Sequence, residues 1–304
     1  MSARQLRLLV AALVILAALW GASRALSHGS DVVAGTLALP GVTAEQADSI
    51  VITHGADTLR IARDGERWLV NQHRASRQAV QDLFLALRDS APSEVAAVSP
   101  TSFSRMGVDS AGAWWLRLTS GGHEALRLVI GAAGSQYGTG YLRRPGSDTV
   151  WLWRGQLPEL VRRPVDQWRD HRIAAVTPDS VRGIAIARGA HRYELSAGAR
   201  GWRLGAEAAD SAKVAAFLGR FRDLEASGFA NDAAADSVAH RSPRRRVTLR
   251  GAAGLPLLVL SFDSTASGFQ VRREGDSTVY RLERWTADPL TPPDSAFRSA
   301  PARH

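Results

Sequence analysis

The chain has 304 residues, 45% of them hydrophobic, with a formal charge of +9 and no cysteine. That length and apolar content suit two folded domains rather than a disordered polymer, and the lack of thiols excludes disulfides, zinc–thiolate centres and cysteine nucleophiles. The positive charge is arginine, because Lys213 is the only lysine; it fits either a GC-rich coding bias or attraction to an acidic surface such as phospholipid headgroups or an envelope polyanion.

The first element is apolar. Arg4 and Arg7 precede residues 8–23, which carry no charge, and Arg24 follows. As a helix this run spans about 24 Å, a little short of a hydrocarbon core of roughly 30 Å. Arg7 and Arg24 can snorkel to cover the deficit, and Trp20 suits the outer interface. The positive-inside rule then places residues 1–7 in the cytoplasm and the bulk of the chain outside. A cleaved signal peptide is the competing reading, but no clean small-x-small site ends the run, which favours an uncleaved signal anchor. Residues 24–46 read as a tether.

A duplication comes next. Residues Ile50 to Asp89 align without a gap on Ile184 to Asp223, with identities that include Ile50/Ile184, Ile52/Ile186, Gly55/Gly189, Trp68/Trp202 and Arg88/Arg222. The apolar pattern is kept as well, which marks two copies of one structural unit. In unit one, 47–156, short runs at 49–53 and 58–62 flank His54-Gly55-Ala56-Asp57 as a hairpin, and Arg67–Val70 is a third strand. Ser76 caps a helix running to about Asp89, with Val80, Leu83, Phe84 and Leu87 as its stripe. Strand-like runs at Trp114–Thr119 and Ala125–Ile130 follow, then a strand, glycine turn and strand over 143–151. A connector, 157–177, leads to unit two, 178–285. There Asp210 caps a helix with Val214, Phe217, Leu218 and Phe221, and strands are expected at Arg246–Arg250, Leu257–Phe262 and across 272–280. The last stretch, 286–304, has four prolines from Asp288 onward and no apolar period, so it reads as disordered. The expected fold is α+β: two tandem homologous units, each a mostly antiparallel sheet with one amphipathic helix, after an N-terminal transmembrane helix.

Chemistry is sparse. The eight histidines show no HxxxH, HxH or HExxH spacing, and neither a nucleophile elbow nor a phosphate-binding loop motif is present. No catalytic, metal or cofactor site is therefore read. Gly131-Ala132-Ala133-Gly134 precedes a strand rather than a helix and reads as a structural loop. Asp166 and Asp170 could share a helix face, but Arg162, Arg163, Arg169 and Arg172 surround them and favour a solvated ion-pair cluster. Trp114, Trp115, Trp151 and Trp153 lie in alternating strands that put some rings outward. Arg244-Arg245-Arg246, with Arg143, Arg144, Arg272 and Arg273, are the candidate surface for a partner or anion. Nucleic acid is not an expected partner, because the basic run lacks interleaved aromatics and lies outside the cytoplasm.

The anchor, the Ile-x-Ile…Trp-Leu-Val unit with its helix, Phe103-Ser104-Arg105-Met106-Gly107-Val108-Asp109, and Gly140-Tyr141-Leu142 before Val150-Trp151-Leu152 resemble the bacterial domain-of-unknown-function family four-three-four-zero. Repeat two departs from the pattern near Val238 to Pro243. The resemblance implies an inner-membrane envelope protein, often encoded beside gliding-motility-type ABC transporters, and an accessory role with an ABC-type permease and ATPase or a related envelope subunit. It carries no catalytic residues over. Two other readings stay open: an envelope polyanion or lipid-binding module using the arginine surface, and a hydrolase assembled from distant segments.

Overall fold

The computed structural model describes residues 37–88, 93–109, 112–231 and 243–299. The expected anchor, with Arg7, Trp20 and Arg24, lies outside the described residues, as do the first part of the tether and residues 238–242. Among the described residues no helix is long and apolar enough to cross a membrane.

Two nine-stranded sheets dominate. In the first, β1 (Ala47–His54), β2 (Asp57–Asp64), β3 (Arg67–Val70) and β4 (His73–Arg74) form a meander that ends at helix α1 (Arg77–Arg88). β5 (Ser93–Ala97) follows, then β6 (Trp114–Ser120), β7 (His123–Ala133), β8 (Thr139–Arg143) and β9 (Val150–Arg154). The strand order is β4-β3-β2-β1-β6-β7-β8-β9-β5, so β6 docks on β1 while β5 crosses to the far edge beside β9. Gly55, at φ +57°, turns β1 into β2, a conformation that a side chain would resist. Alternation then buries Ile50 and Ile52 of β1 together with Leu116 and Leu118 of β6. The helical stripe is buried as its spacing predicts, through Val80, Leu83, Phe84 and Leu87, and Ser76 Oγ accepts from Ala79 N at 3.3 Å.

The second sheet repeats this plan. After β10 (Arg172–Ala174), the strands β11 (Gly183–Arg188), β12 (His191–Gly198), β13 (Gly201–Leu204) and β14 (Glu207–Ala208) lead into helix α2 (Ser211–Gly219). β15 (Leu224–Glu225) pairs with β10 as a separate ribbon. β16 (Gly228–Phe229), β17 (Arg245–Arg250), β18 (Pro256–Ser264), β19 (Gly268–Arg273) and β20 (Val279–Glu283) complete the set. The order β14-β13-β12-β11-β17-β18-β19-β20-β16 matches the first sheet strand for strand, including the edge crossing. Asp210 caps α2 by accepting from Ala212 N and Lys213 N at 3.0 and 3.2 Å. A single core joins Ile184, Ile186, Leu195, Val247 and Leu249 of the sheet to Val214, Phe217, Leu218 and Phe221. Mostly antiparallel sheet with few helices, in two tandem copies, is therefore the architecture of the described chain.

Proximity along the backbone groups residues up to 62 with 81–163, and 63–80 with 164 onward. Residues 63–80 join the second group through the connector: Ser76 N donates to Trp168 O at 2.8 Å, Asp170 N donates to Arg74 O at 2.9 Å, and Ala75 bridges Arg169. Trp168, in the 3₁₀ turn Val165–Trp168, is fully buried.

The expectation of disorder from 286 onward fails for 286–299. Short helical turns occupy Arg284–Ala287, Asp288–Leu290 and Asp294–Phe297. Leu290 and Phe297 are buried, and Phe297 meets Phe217 edge-on at 5.3 Å. Asp210 N donates to Phe297 O at 2.8 Å and Ala209 bridges Arg298. Pro293-x-x-x-Phe297-Arg298 thus does for α2 what Pro164-x-x-x-Trp168-Arg169 does for α1: each strap inserts one aromatic and bonds the backbone at the helix start. A strap anchored by one ring has no apolar period, and proline fixes its entry at little entropic cost. For both reasons it reads as a tail.

Candidate functional site

Strand alternation sets the second sheet's solvent face. With Ile184 and Ile186 of β11 inward, Ala185 and Ala187 point outward. Across the ladder Ala187 lies between Arg192 of β12 and Arg246 of β17, and Ala185 lies between Glu194 and Thr248. The methyl-sized floor leaves a groove of about 470 Å³ along β11, with Pro243 and Arg244 among its lining residues. Four arginines line it: Arg192, Arg244, Arg246 and Arg250. Its single carboxylate, Glu194, is engaged by Arg250 Nη1 at 3.2 Å. Among the described residues no carboxylate pairs with Arg192, Arg244 or Arg246. Among the described residues their charges are left unneutralised.

Of the seven arginines singled out in the sequence, the groove gathers only Arg244 and Arg246. Arg245 points to the other face, where it bonds Asp288 at 2.6 Å and lies over the Phe269 ring at 4.6 Å, tying down the start of the second strap. Arg143 lies 4.3 Å over the Phe103 ring and donates to Val108 O at 3.0 Å. Arg144 is exposed and donates to Ala38 O. Arg272 faces Asp263 at 3.4 Å, and Arg273 donates to Ile173 O at 3.2 Å. These side chains hold loops and strands in place. Arg192 and Arg250 escaped notice because they stand singly. The signal was the period-two pattern Arg246-x-Thr248-x-Arg250 and Arg192-x-Glu194, both flanking the small outward residues of β11.

The other candidates are structural. Asp166 sits in a 3₁₀ turn and Asp170 beyond it, so they share no helix face, a correction that follows from Pro164 and the extended Arg169. Asp170 accepts from Arg172 N at 3.1 Å and stands 3.8 Å from Arg74. His171 places its ring nitrogens 3.0 Å from Ala226 O and 2.9 Å from Asp166 O. Trp153 is buried, Trp114 stacks on His54 at 4.2 Å, and Trp115 packs with Phe103 against the cluster of Met106, Val108, Val129 and Val150. Gly131 lies in β7 under that cover, where a Cβ would collide with Met106 O and Val108. Among the described residues no three histidines or carboxylates are grouped to hold a metal ion.

Two tyrosines are perturbed. Burial is the main cause for both: it pushes the Tyr193 phenol well above its ordinary range, with the nearby Asp294 charge adding to it, and does the same for Tyr280, whose hydroxyl donates to Asp276 at 2.9 Å. Tyr193 OH is committed to Pro292 O in the second strap. The hydrogen bond from Arg298 lowers the Asp294 pKa, and Arg298 is held charged in return. All these groups serve the strap and the far end of the sheet.

A family model described as "Domain of unknown function (DUF4340)" matches residues 68–243. No curated protein and no solved structure matches the chain.

Proposed function

From the premise that the chain belongs to the DUF4340 family, a domain of unknown function, we propose that it is a non-enzymatic, membrane-anchored extracytoplasmic protein, an accessory, partner-binding component of an ABC-type export or gliding-motility-like complex. Residues 8–23 hold it in the bacterial inner membrane as a single-pass anchor, with the N-terminus cytoplasmic. Its partners are the permease and ATPase, or a related envelope subunit. The observation that carries the binding role is the arginine-lined groove, whose guanidiniums face solvent on a regular sheet while its one carboxylate is already engaged. Such a surface suits docking by charge and shape.

The test is a mild-detergent pull-down of the tagged full-length protein from its native membrane, with deletion of residues 7–24 as control. Recovery of a permease and its ATPase with the anchored form is expected. Recovery of lipid or glycan without either protein overturns the accessory role. It moves the assignment to the second reading, an envelope polyanion or lipid-binding module, which the same unpaired guanidiniums favour and which requires salt-sensitive binding.

A further inference from the structure

We infer that the groove on the second sheet is a phosphoryl-binding site, which takes a phosphate monoester over Ala187 between Arg192 and Arg246, with Arg244 beside them. This deepens the polyanion reading of the same groove and rests on it. The register puts Arg192 and Arg246 on the two strands flanking Ala187, both on the solvent face. Two strand spacings separate their backbones by about 10 Å, a gap that two arginine stems can close from opposite sides. Nothing larger than a methyl group stands between them, and Gly189 has no neighbour within 4 Å of a built Cβ. Among the described residues no carboxylate pairs with either arginine, and an anion seated between their guanidiniums would relieve their mutual repulsion. A carboxylate holds its two oxygens in one plane and favours a bidentate fork along a single edge, whereas a phosphate monoester holds three terminal oxygens tetrahedrally and can share them between forks on opposite sides. Glu194, one register step away, is engaged by Arg250 and does not neutralise the pair.

The first sheet is the internal contrast. In the same register positions it has Thr53 between Thr58 and Trp115, and Val51 between Arg60 and Arg117. No opposed arginines flank Thr53, and Trp115 is packed under the Phe103 cover. The duplication therefore kept the sheet in both copies, and at the position shared by Thr53 and Ala187 it put opposed arginines in the second alone, the first sheet's pair, Arg60 and Arg117, standing across the bulkier Val51.

Phosphoryl groups of this kind come from lipid headgroups or from soluble phosphates, and the experiment separates them. The full-length protein in neutral detergent micelles is titrated calorimetrically with inorganic pyrophosphate, with micelles doped with phosphatidic acid, and with polyglutamate. Saturable binding of a phosphate probe is expected, about tenfold or more tighter than that of polyglutamate. The Arg192→Ala/Arg246→Ala variant should lose about tenfold or more. So should Ala187→Leu, which fills the floor without removing charge and keeps the test valid if the double variant does not fold. Binding of pyrophosphate assigns a soluble phosphate, and binding of phosphatidic acid alone assigns a headgroup; either supports the site. Phosphate binding that both variants retain, equal affinity for polyglutamate, or no saturable phosphate binding overturns it. Loss of the groove by this measure leaves recovery of permease and ATPase untouched, and failure to recover them leaves the titration untouched, so the two readings fail separately.

Discussion

The two sheets share a strand order but differ on their outer faces. On the first, residues 96–109 lay Phe103, Met106 and Val108 over Trp115, Val129 and Val150, with Arg143 stacked on the Phe103 ring. On the second, the positions of Trp115 and Val129 are Arg246 and Ser261, and Arg272 is turned to Asp263. An apolar face demands a cover, because leaving it wet forfeits about 25 cal/mol for each Å². A face of arginine, threonine and alanine makes no such demand. Duplication conserved what the core needs and released what it does not.

The comparison can be broken most severely at the straps. Phe297→Ala removes a fully buried ring packed on Phe217 and should cost about 3–5 kcal/mol in urea unfolding; Trp168→Ala should cost a similar amount if the straps are equivalent. A Phe297→Ala cost near zero would return 286–299 to the status of a passive tail. Next in size, Gly131→Ala should lower stability by about 1–3 kcal/mol, because the chain over β7 must lift. Its proteolytic signature should be cleavage within 98–109, and phosphate binding at the second sheet should be unchanged.

The caps sharpen the likeness at a smaller scale. Asp210→Ala and Ser76→Ala should each cost about 1 kcal/mol, with Asp210 the larger, since it accepts from two backbone N–H groups. The smallest expected effect is on pH dependence. Tyr193 and Tyr280 have raised pKa values, so the folded chain holds those protons when the unfolded chain releases them. Their contribution is whole below the ordinary phenol pKa of about 10 and is lost as pH climbs above it. Thermal melts between pH 8 and 11 should show a falling midpoint whose slope is reduced in Tyr193→Phe.

Residues with a strong local period were legible in advance. The hairpin at Gly55, the stripes of α1 and α2, both caps and the strands at 114–120 and 245–250 follow from alternation, turn chemistry and helical spacing, and the resemblance to the DUF4340 family holds. The two-residue strands β4, β14, β15 and β16 escaped detection, because two residues carry no period. The straps were hidden for a related reason: Trp168 and Phe297 are single anchors whose partners lie far along the chain.

The sequence by itself determined the duplication, the sheet-and-helix content and the charge, since these reside in spacing and composition. The tertiary structure alone decided which arginines act together. Arg192 and Arg246 are 54 positions apart and become neighbours only because β12 and β17 both pair with β11. It also decided that Arg245, beside Arg246 in sequence, serves the opposite face. A strand reverses its side chains at every residue, so a basic run read as one patch is divided between the two faces of the sheet, and the groove is built from residues that no linear motif joins.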